Sequence, residues 1–470
     1  MPNDIVNSTN TAYNEMKQKW HLLDDLMGGT QTMRDAGTTW MFKHPRESQT
    51  SYDSRIKNSF LFEAYKEAVN DIVAKPFSKD IVIKGELPDR LLDIADNIDL
   101  RGSTLTQFAR KMFQEGVHRG LVHVLVDFPQ TNGQLNLAEE RGLGIRPFFV
   151  LIPASNMLGW QTAVTANGKI VVTQIRFREW REESVGQYAT QMVEYIRVIN
   201  IGFWELWRKA SDNKSSKDEF VRVDSGLYTF NGIPLTTTYL NRSAFMKADP
   251  SLEGLAWQNL AHWNSDSDRR NVLKFASVGL LFISGISDEE KEQEIIIGPN
   301  QTIKTNSADS DAKYVEYTGN ALDGGRQLVL DIEARMKAMG LKPFLQKESG
   351  TQTATEKAID TAQSNSQIQA WIRAVESGVE NSFSHAHQWL DLEEDPNFGL
   401  DIFNDFGIAM DTAELEQLLK ARMSGQISHA TYLEEIKRRA LLKDDLDIED
   451  EVAAVELEME AIGAEDDDDN

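Results

Sequence analysis

From Thr353 to Leu390 the sequence carries one continuous helical pattern, and an element of that length constrains everything around it. Thr353 with Glu356 three residues on forms a capping box, in which two backbone donors at a helix start are satisfied reciprocally. Ile359, Ala362, Ile372, Val375, Val379, Phe383 and Leu390 then recur, unevenly, at helical spacing. About 36 residues at a rise of ~1.5 Å each span ~54 Å. A mean globular helix has about three turns, so a helix this long is expected to cross an assembly rather than lie inside one small core.

The rest of the chain sets wider bounds. At 470 residues, with ~150 per domain, about three domains are expected. Apolar residues make up 41% and charged residues 26%, the balance of an ordinary globular protein. The absence of cysteine excludes disulfides, thiolate zinc sites and cysteine nucleophiles, and suits folding in a reducing cytoplasm. No basic segment followed by an apolar one opens the chain, and no apolar run approaches the ~20 residues that span a bilayer, so neither secretion nor membrane insertion is expected. The formal charge of −25 is unevenly placed: residues 444 to 470 hold fourteen acidic residues and no Lys or Arg, which leaves −11 on the first 443. A mildly acidic body speaks against tight gripping of nucleic acid and leaves room for a loose, sliding contact.

Along the chain, the first 120 residues read mainly as helix. A polar amphipathic stretch ends at Gly28-Gly29. A stronger one runs from about Thr50 to Ala74, with Tyr52, Ile56, Phe60, Tyr65, Val69, Ile72 and Val73 at helical spacing before Lys75-Pro76. A third begins near Ser103, with Leu105, Phe108, Ala109, Met112 and Phe113 on one face and Gly116 and Gly120 at its end. From Leu121 the period drops to about two, in LVHVLVDFP, PFFVLIP, VVTQIRFREW, MVEYIRVI, GFWELWRK and EFVRV. The polar SDNKSSKDE at 211 to 219 reads as an exposed hairpin connection.

After Pro250 helix returns. Leu252, Leu255, Ala256, Leu260 and Trp263 form a stripe that fades into Asp266, Asp268, Arg269 and Arg270, charges that need water or an oppositely charged neighbour. A β-prone island (EIIIGP, KYVEY) precedes a helix from about Gly325 to Met339 carrying Leu328, Ile332, Met336 and Met339, closed by Gly340. The aperiodic LKPFLQKESGTQTA reads as a loop, its GTQT expected to be mobile. Past the long helix come a strand-like FGLDIFNDF, helices in DTAELEQLLKARMSG and HATYLEEIKRRALL, and an acidic end, EDDDDN, expected to be disordered.

Catalytic signatures fail on inspection. Gly168-Lys169 is followed by Ile170 and preceded at the fifth position by Ala163, so the phosphate-cradling loop is absent. His385 and His387 at i, i+2 on a helix point apart, which speaks against a metal pair. DDLDIEDE lacks the glycine and terminal glutamate of a calcium loop, and no G-x-S-x-G elbow occurs.

The order of elements resembles the portal family of tailed bacteriophages. Local sequence agrees in KHPRESQTSYDSRIKNSFLFEAYKEAVNDIVAKPF, FARKMFQEGVHRGLVHVLVDFP, RPFFVLIPASNMLGW, LEGLAWQNLAHWNSDSDRRNVLKFASVGLLFISG, GTQTATEKAIDTAQSNSQI and GQISHATYLEEIKRRALL, which together spread over residues 43 to 440. No one of these is diagnostic alone; their order carries the resemblance.

The resemblance implies an α+β portal fold. It would comprise an N-terminal helical arm (1–40), an α/β wing (41–248), a stem helix (249–276), a small β-containing clip (277–321) and a second stem helix (322–340). A tunnel loop (341–353), a long helix across the ring (354–391), a return strand to the wing (392–410), crown helices (411–463) and an acidic tail (464–470) would follow. Lys342, Gln346, Lys347 and Thr351 would face DNA from the tunnel loop, touching phosphates without reading bases, although solubility explains Lys342 as readily and Lys347, set amid polar neighbours before Gly350, somewhat less so. Asp266, Asp268, Arg269 and Arg270 would lie between subunits or toward the lumen. A homo-oligomeric ring, dodecameric in the family, is implied, with the terminase large subunit, the major capsid protein, scaffold, and adaptor or tail proteins as partners. Double-stranded DNA would pass through it without sequence preference, no cofactor would be required, and the protein would sit at the portal vertex of the virion after assembly in the host cytoplasm. A different head-to-tail ring component or a DNA-processing enzyme are the alternatives.

Overall fold

The computed structural model describes residues 5–129, 137–210, 220–278, 280–284, 311–315, 320–341, 354–404, 412–438, 441–442, 446–455 and 457. The architecture is α+β, in two compact units: Met1–Thr351 with Ala370–Ile402, and Gln352–Gln369 with Phe403–Asn470.

Helix α1 (Thr11–Ala36) does not stop at the glycine pair as its sequence suggests. Gly29 takes φ 78°, a left-handed geometry open to a residue without Cβ, and helix resumes beyond it. Burial of Leu26 and Met33 on either side of the kink holds the two pieces together. The run from Thr50 to Ala74 is likewise not one helix but two, α2 (Gln49–Lys57) and α3 (Ala64–Ala74). Ser48 caps α2 by accepting from the Ser51 amide at 3.1 Å, and Asn58 ends it by donating its side-chain amide to the Ser54 carbonyl at 2.6 Å. An asparagine that competes for backbone groups in this way breaks a helix that apolar spacing alone would continue. Phe60, counted in the helical stripe, lies in the break and is 58% exposed.

Strand β1 (Val82–Lys84) and the short α4 (Asp89–Leu92) lead to α5 (Leu105–Arg119), which is capped as local chemistry dictates. Thr104 and Gln107 form a reciprocal capping box, and Gly120 closes the helix at φ 90°. The predicted face Leu105, Phe108, Ala109, Met112 and Phe113 is wholly buried. The chain then enters β2 (Leu121–Asp127), buried at six consecutive positions and therefore central. After α6 (Leu137–Gly142), β3 (Phe148–Pro153) pairs with one side of β2.

Next comes an antiparallel five-stranded meander: β4 (Met157–Val164), β5 (Ile170–Val185), β6 (Ala189–Asn200), β7 (Phe203–Lys209) and β8 (Phe220–Leu227). The segment 211–219 lies outside the described residues, but the strands it joins, β7 and β8, pair antiparallel as its hairpin reading requires. Then β9 (Leu235–Tyr239) completes the three-stranded sheet on the free side of β2, and β10 (Arg242–Ala244) pairs with β11 (Lys247–Ala248). Threonine-rich β9 has no apolar alternation and escapes a sequence reading. Leu125 and Ile152 from the smaller sheet pack with Met157, Ile175, Phe177 and Ile199 from the meander to form the core between them.

Helix α7 (Glu253–Val278) and α8 (Asn320–Met336) pack together, with β12 (Leu280–Ser284) and β13 (Asp311–Val315) paired antiparallel between them in sequence. The strand partner of the KYV run is thus Leu280–Ser284, while EIIIGP lies outside the described residues. In α8 the buried residues are Val329, Ile332 and Met336, whereas Leu328 and Met339 of the expected stripe are exposed. A π-helical turn, Lys337–Leu341, follows α8.

Helix α9 (Ala354–Leu390) runs for 37 residues, matching the length read from the sequence. Thr353 and the Glu356 side chain lie outside the described residues. From Trp371 onward its apolar side chains are buried in the first unit: Ile372, Val375, Val379 and Phe383 are completely enclosed. Beyond it β14 (Gly399–Asp401) returns to pair antiparallel with β1, a non-local contact that FGLDIFNDF alone hints at. The second unit holds α10 (Thr412–Met423) and α11 (His429–Arg438); EDDDDN lies outside the described residues.

Candidate functional site

The charged half of α7 is the predicted site that the described residues contain. Asp266, only 5% exposed, accepts from Arg269 at 2.7 Å and Arg270 at 2.6 Å, one helical turn along. Burial works to raise its pKa, yet the hydrogen bonds from both arginines outweigh it and hold the carboxyl below its ordinary range. Asp268 accepts from Arg55 of α2 at 3.1 Å, with the His44 ring at 3.4 Å. Arg55 is the hub of this contact: its remaining donors go to Glu47 at 3.0 and 2.9 Å and to the Phe42 carbonyl at 2.6 Å.

Polar residues on the same helix face the N-terminal helices as well. Asn259 accepts from the Tyr65 amide at 3.0 Å and donates to the Phe62 carbonyl at 2.7 Å, and Asn264 donates to the Trp40 carbonyl at 3.0 Å. The charges at Asp266, Asp268, Arg269 and Arg270 are therefore matched inside one chain. Of the two surroundings the sequence calls for, water or an oppositely charged neighbour, the second is supplied within the chain: sequence shows unpaired charge on a helix, and folding brings the partners. Among the residues that α7 and α8 leave exposed are the large apolar Trp257, Leu273, Leu328 and Leu330, between 40% and 52% exposed, interspersed with charged side chains such as Arg270, Asp323, Arg326 and Asp331.

The tunnel-loop residues Lys342, Gln346, Lys347 and Thr351 lie outside the described residues. The C-terminal turns of α9 are clamped onto the body. The Trp389 indole donates to the Val126 carbonyl at 2.9 Å and stacks on Phe128 at 5.6 Å. His387 is buried with its Nδ1 2.8 Å from the Phe383 carbonyl, and His385 lies edge-on to Phe230, its pKa lowered by burial. Both are packing residues.

Trp389 also lines a cleft of about 650 Å³ with Phe148, Trp204 and Tyr228. The cations there are already held by carboxylates, Arg197 by Asp127 at 2.5 Å and Glu179 at 3.2 Å, and Arg181 by Glu179 at 2.5 Å. The cleft offers aromatic walls, and Asp224 and Thr229 also line it.

One array of catalytic residue types does assemble, and sequence reasoning misses it. The Tyr65 hydroxyl lies 2.9 Å from His118 Nδ1, and His118 Nε2 lies 2.8 Å from Asp24, which also accepts from Arg119 at 2.7 Å. Burial and the nearby Asp24 charge push the Tyr65 phenol far above its usual pKa, and the ring is fully enclosed. A hydroxyl that is neither ionised nor reachable cannot attack a substrate, so the array ties α1, α3 and α5 together. Among the described residues no group of three or more His, Asp or Glu side chains could hold a metal ion, and no helix is long and apolar enough to cross a membrane.

A family described as a domain of unknown function, DUF4055, matches residues 251–390, from the start of α7 to the end of α9. No curated protein matches. Among solved structures, the chain is similar to one in the neck of an empty GTA particle computed with C6 symmetry, at a TM-score of 0.42 and 10% identity over 78% of this chain and 88% of that one. It is also similar to a chain of the virion of a native gene transfer agent (GTA) particle, at 0.42 and 9% over 85% and 97%. A third similarity is to the neck of a native GTA particle computed with C12 symmetry, at 0.39 and 10% over 86% and 97%.

Proposed function

We propose that this chain is the subunit of a portal ring, the conduit at one capsid vertex through which double-stranded DNA is packaged by a terminase and later released, and that it has no catalytic chemistry of its own. The observation that carries the reading is the α7–α8 pair. One side of α7 is anchored by Arg55, Asn259 and Asn264 contacts, and large apolar side chains at Trp257, Leu273, Leu328 and Leu330 remain open, surface of the kind that further copies cover. The order of α7, β12, β13, α8 and the 37-residue α9 supports the same reading, as does the resemblance across residues 43 to 440.

In this proposal the ring is dodecameric, as in the portal family. Lys342, Gln346, Lys347 and Thr351 supply sparse phosphate contacts. The acidic body repels the duplex at short range, over a screening length of ~8 Å at physiological salt, and so prevents sticking. The terminase large subunit, the major capsid protein, scaffold and an adaptor or tail protein dock on its outer surfaces, and its place is the virion.

Negative-stain microscopy of the purified protein tests the proposal. A ring with a central hole is expected; a compact monomer at every concentration and salt would overturn it.

A further inference from the structure

We infer that the five-stranded meander continues from one copy of this chain into the next, the free edge of β8 pairing with the distal half of β4 in a neighbouring copy. This rests on the ring proposed above and names a surface that builds it.

Both edges of the sheet are open. Among the described residues β8 is hydrogen-bonded on one side only, to β7. It is exposed along nearly its whole length, with Val221 at 53%, Val223 at 50% and Leu227 at 86%. At the other edge the N-terminal segment covers the first half of β4: the Asn10 amide donates to the Leu158 carbonyl at 3.2 Å and its side-chain amide to the Trp160 carbonyl at 3.0 Å. Past Trp160 that cover stops, and Gln161, Thr162, Ala163 and Val164 are all exposed, with β5 their one strand partner among the described residues.

An open strand edge presents a row of unpaired amides and carbonyls, and single-copy proteins blunt such edges with lysine, proline or inward charge. Neither edge carries lysine or proline, although a bulge leaves Val223 of β8 without a partner on β7 between Arg222 and Asp224. The β8 sequence FVRVDSGL has no Lys or Pro, and its Arg222 is paired with Glu205 of β7 at 2.9 Å; β4, MLGWQTAV, has no charge. With −11 on the first 443 residues, a mildly acidic body lets copies approach most readily along edges low in charge, such as β4.

The topology also sets the geometry. Strands β4 and β8 are separated by three antiparallel neighbours and so run in the same direction. Pairing one with the other joins two different surfaces head to tail, the kind of contact that closes into rings, whereas β8 meeting β8 would stop at a dimer. Asp224 and Leu227 of β8 also line the aromatic cleft, so a docked strand would overhang its mouth.

The absence of native cysteine makes the test direct. Double variants combine Thr162→Cys or Val164→Cys with Val221→Cys, Val223→Cys or Ser225→Cys, sampling several registers at the ~4.8 Å spacing of neighbouring strands. Each is oxidised mildly, run on non-reducing gels and imaged by negative stain beside its single-cysteine parents. A ladder of covalent multimers from at least one pair, and none from its parents, is the expected result. Rings with no ladder from any pair would overturn this inference and leave the ring standing. Dimers from a single cysteine on β8 would replace it with a two-fold contact, and loss of both ring and ladder would remove the portal reading and this inference together.

Discussion

Gly378 of α9 lies flush against Thr238 of β9: a Cβ on the glycine would overlap the threonine hydroxyl and stand 2.7 Å from the Met112 methyl group. Helix, strand and α5 thus meet at a point with no room for a side chain. This close approach seats the C-terminal turns of the long helix on the body, and it explains why a glycine is placed mid-helix despite its conformational cost.

Gly378→Ala is expected to lower stability by about 1–3 kcal/mol, the usual penalty for overpacking a filled core. Gly324→Ala in α8, where nothing lies within 4 Å of the added methyl, is expected to raise it by about 0.5–1 kcal/mol. Thermal denaturation of the two variants beside the parent checks both signs. Equal effects would mean that Gly378 is not a packing constraint.

Arg55→Met should be among the most damaging substitutions at the α2–α7 contact. It leaves the Glu47 carboxylate, whose side chain is 6% exposed, with the His44 amide as its remaining donor, a loss of about 1–3 kcal/mol. Asp268→Asn removes an ion pair whose acid is 48% exposed and should cost less than about 1 kcal/mol. The hydrogen bonds from Arg55 hold the Glu47 pKa below its ordinary value, so their stabilisation is full above that value and fades as pH falls through the folded one. The gap between Arg55→Met and parent should therefore narrow in acid, as urea titrations at a series of pH values would reveal.

His123 on β2 is 1% exposed, 2.9 Å from the Thr237 hydroxyl, and its pKa is lowered by burial to about 3. Between its unfolded value of about 6.5 and that folded value, the unfolded chain binds the proton and the native one does not. Stability contributed by the neutral ring is thus complete above pH ~6.5 and declines as pH drops, by at most about 1.4 kcal/mol per unit. His123→Gln keeps a hydrogen-bonding side chain without the titration, so its stability should fall less steeply over this range. Parallel slopes for variant and parent would show that His123 is not the sensor.

If Lys347 touches phosphate as proposed, Lys347→Glu in a virus assembled around this chain will reduce the DNA content of filled heads, because the contact would become a repulsion. Lys111→Glu, at an exposed position of α5 outside the stem and the loop, is the matched charge control. Quantifying packaged DNA separates the two, and unchanged content in Lys347→Glu heads would remove that residue from the DNA path.

Much of the fold is legible before folding is considered. The two-residue period of LVHVLVDFP, VVTQIRFREW, MVEYIRVI and GFWELWRK marks β2, β5, β6 and β7, because a half-buried strand must alternate or, when central, be apolar throughout. The apolar face from Leu105 to Phe113 and the closing Gly120 mark α5, since both signals are local to the chain. The kink at Gly29, the break at Asn58 and the strand at β9 are not legible in the same way. Each depends on a competition settled by what lies opposite: buried Met33, the Ser54 carbonyl, the free side of β2.

The candidate site divides along the same line. By itself the sequence determines that α7 carries an apolar stripe fading into Asp266, Asp268, Arg269 and Arg270, and that a helix of 37 residues follows after α8, because side-chain period and capping are local properties of the chain. Only the tertiary structure decides that Asp268 meets Arg55 across 213 residues, that Tyr65 meets His118 in a sealed interior, and that Thr238 closes on Gly378. Contacts between residues so far apart follow from how the elements pack on one another, and that packing is set jointly by every buried side chain, so no local stretch of sequence contains it.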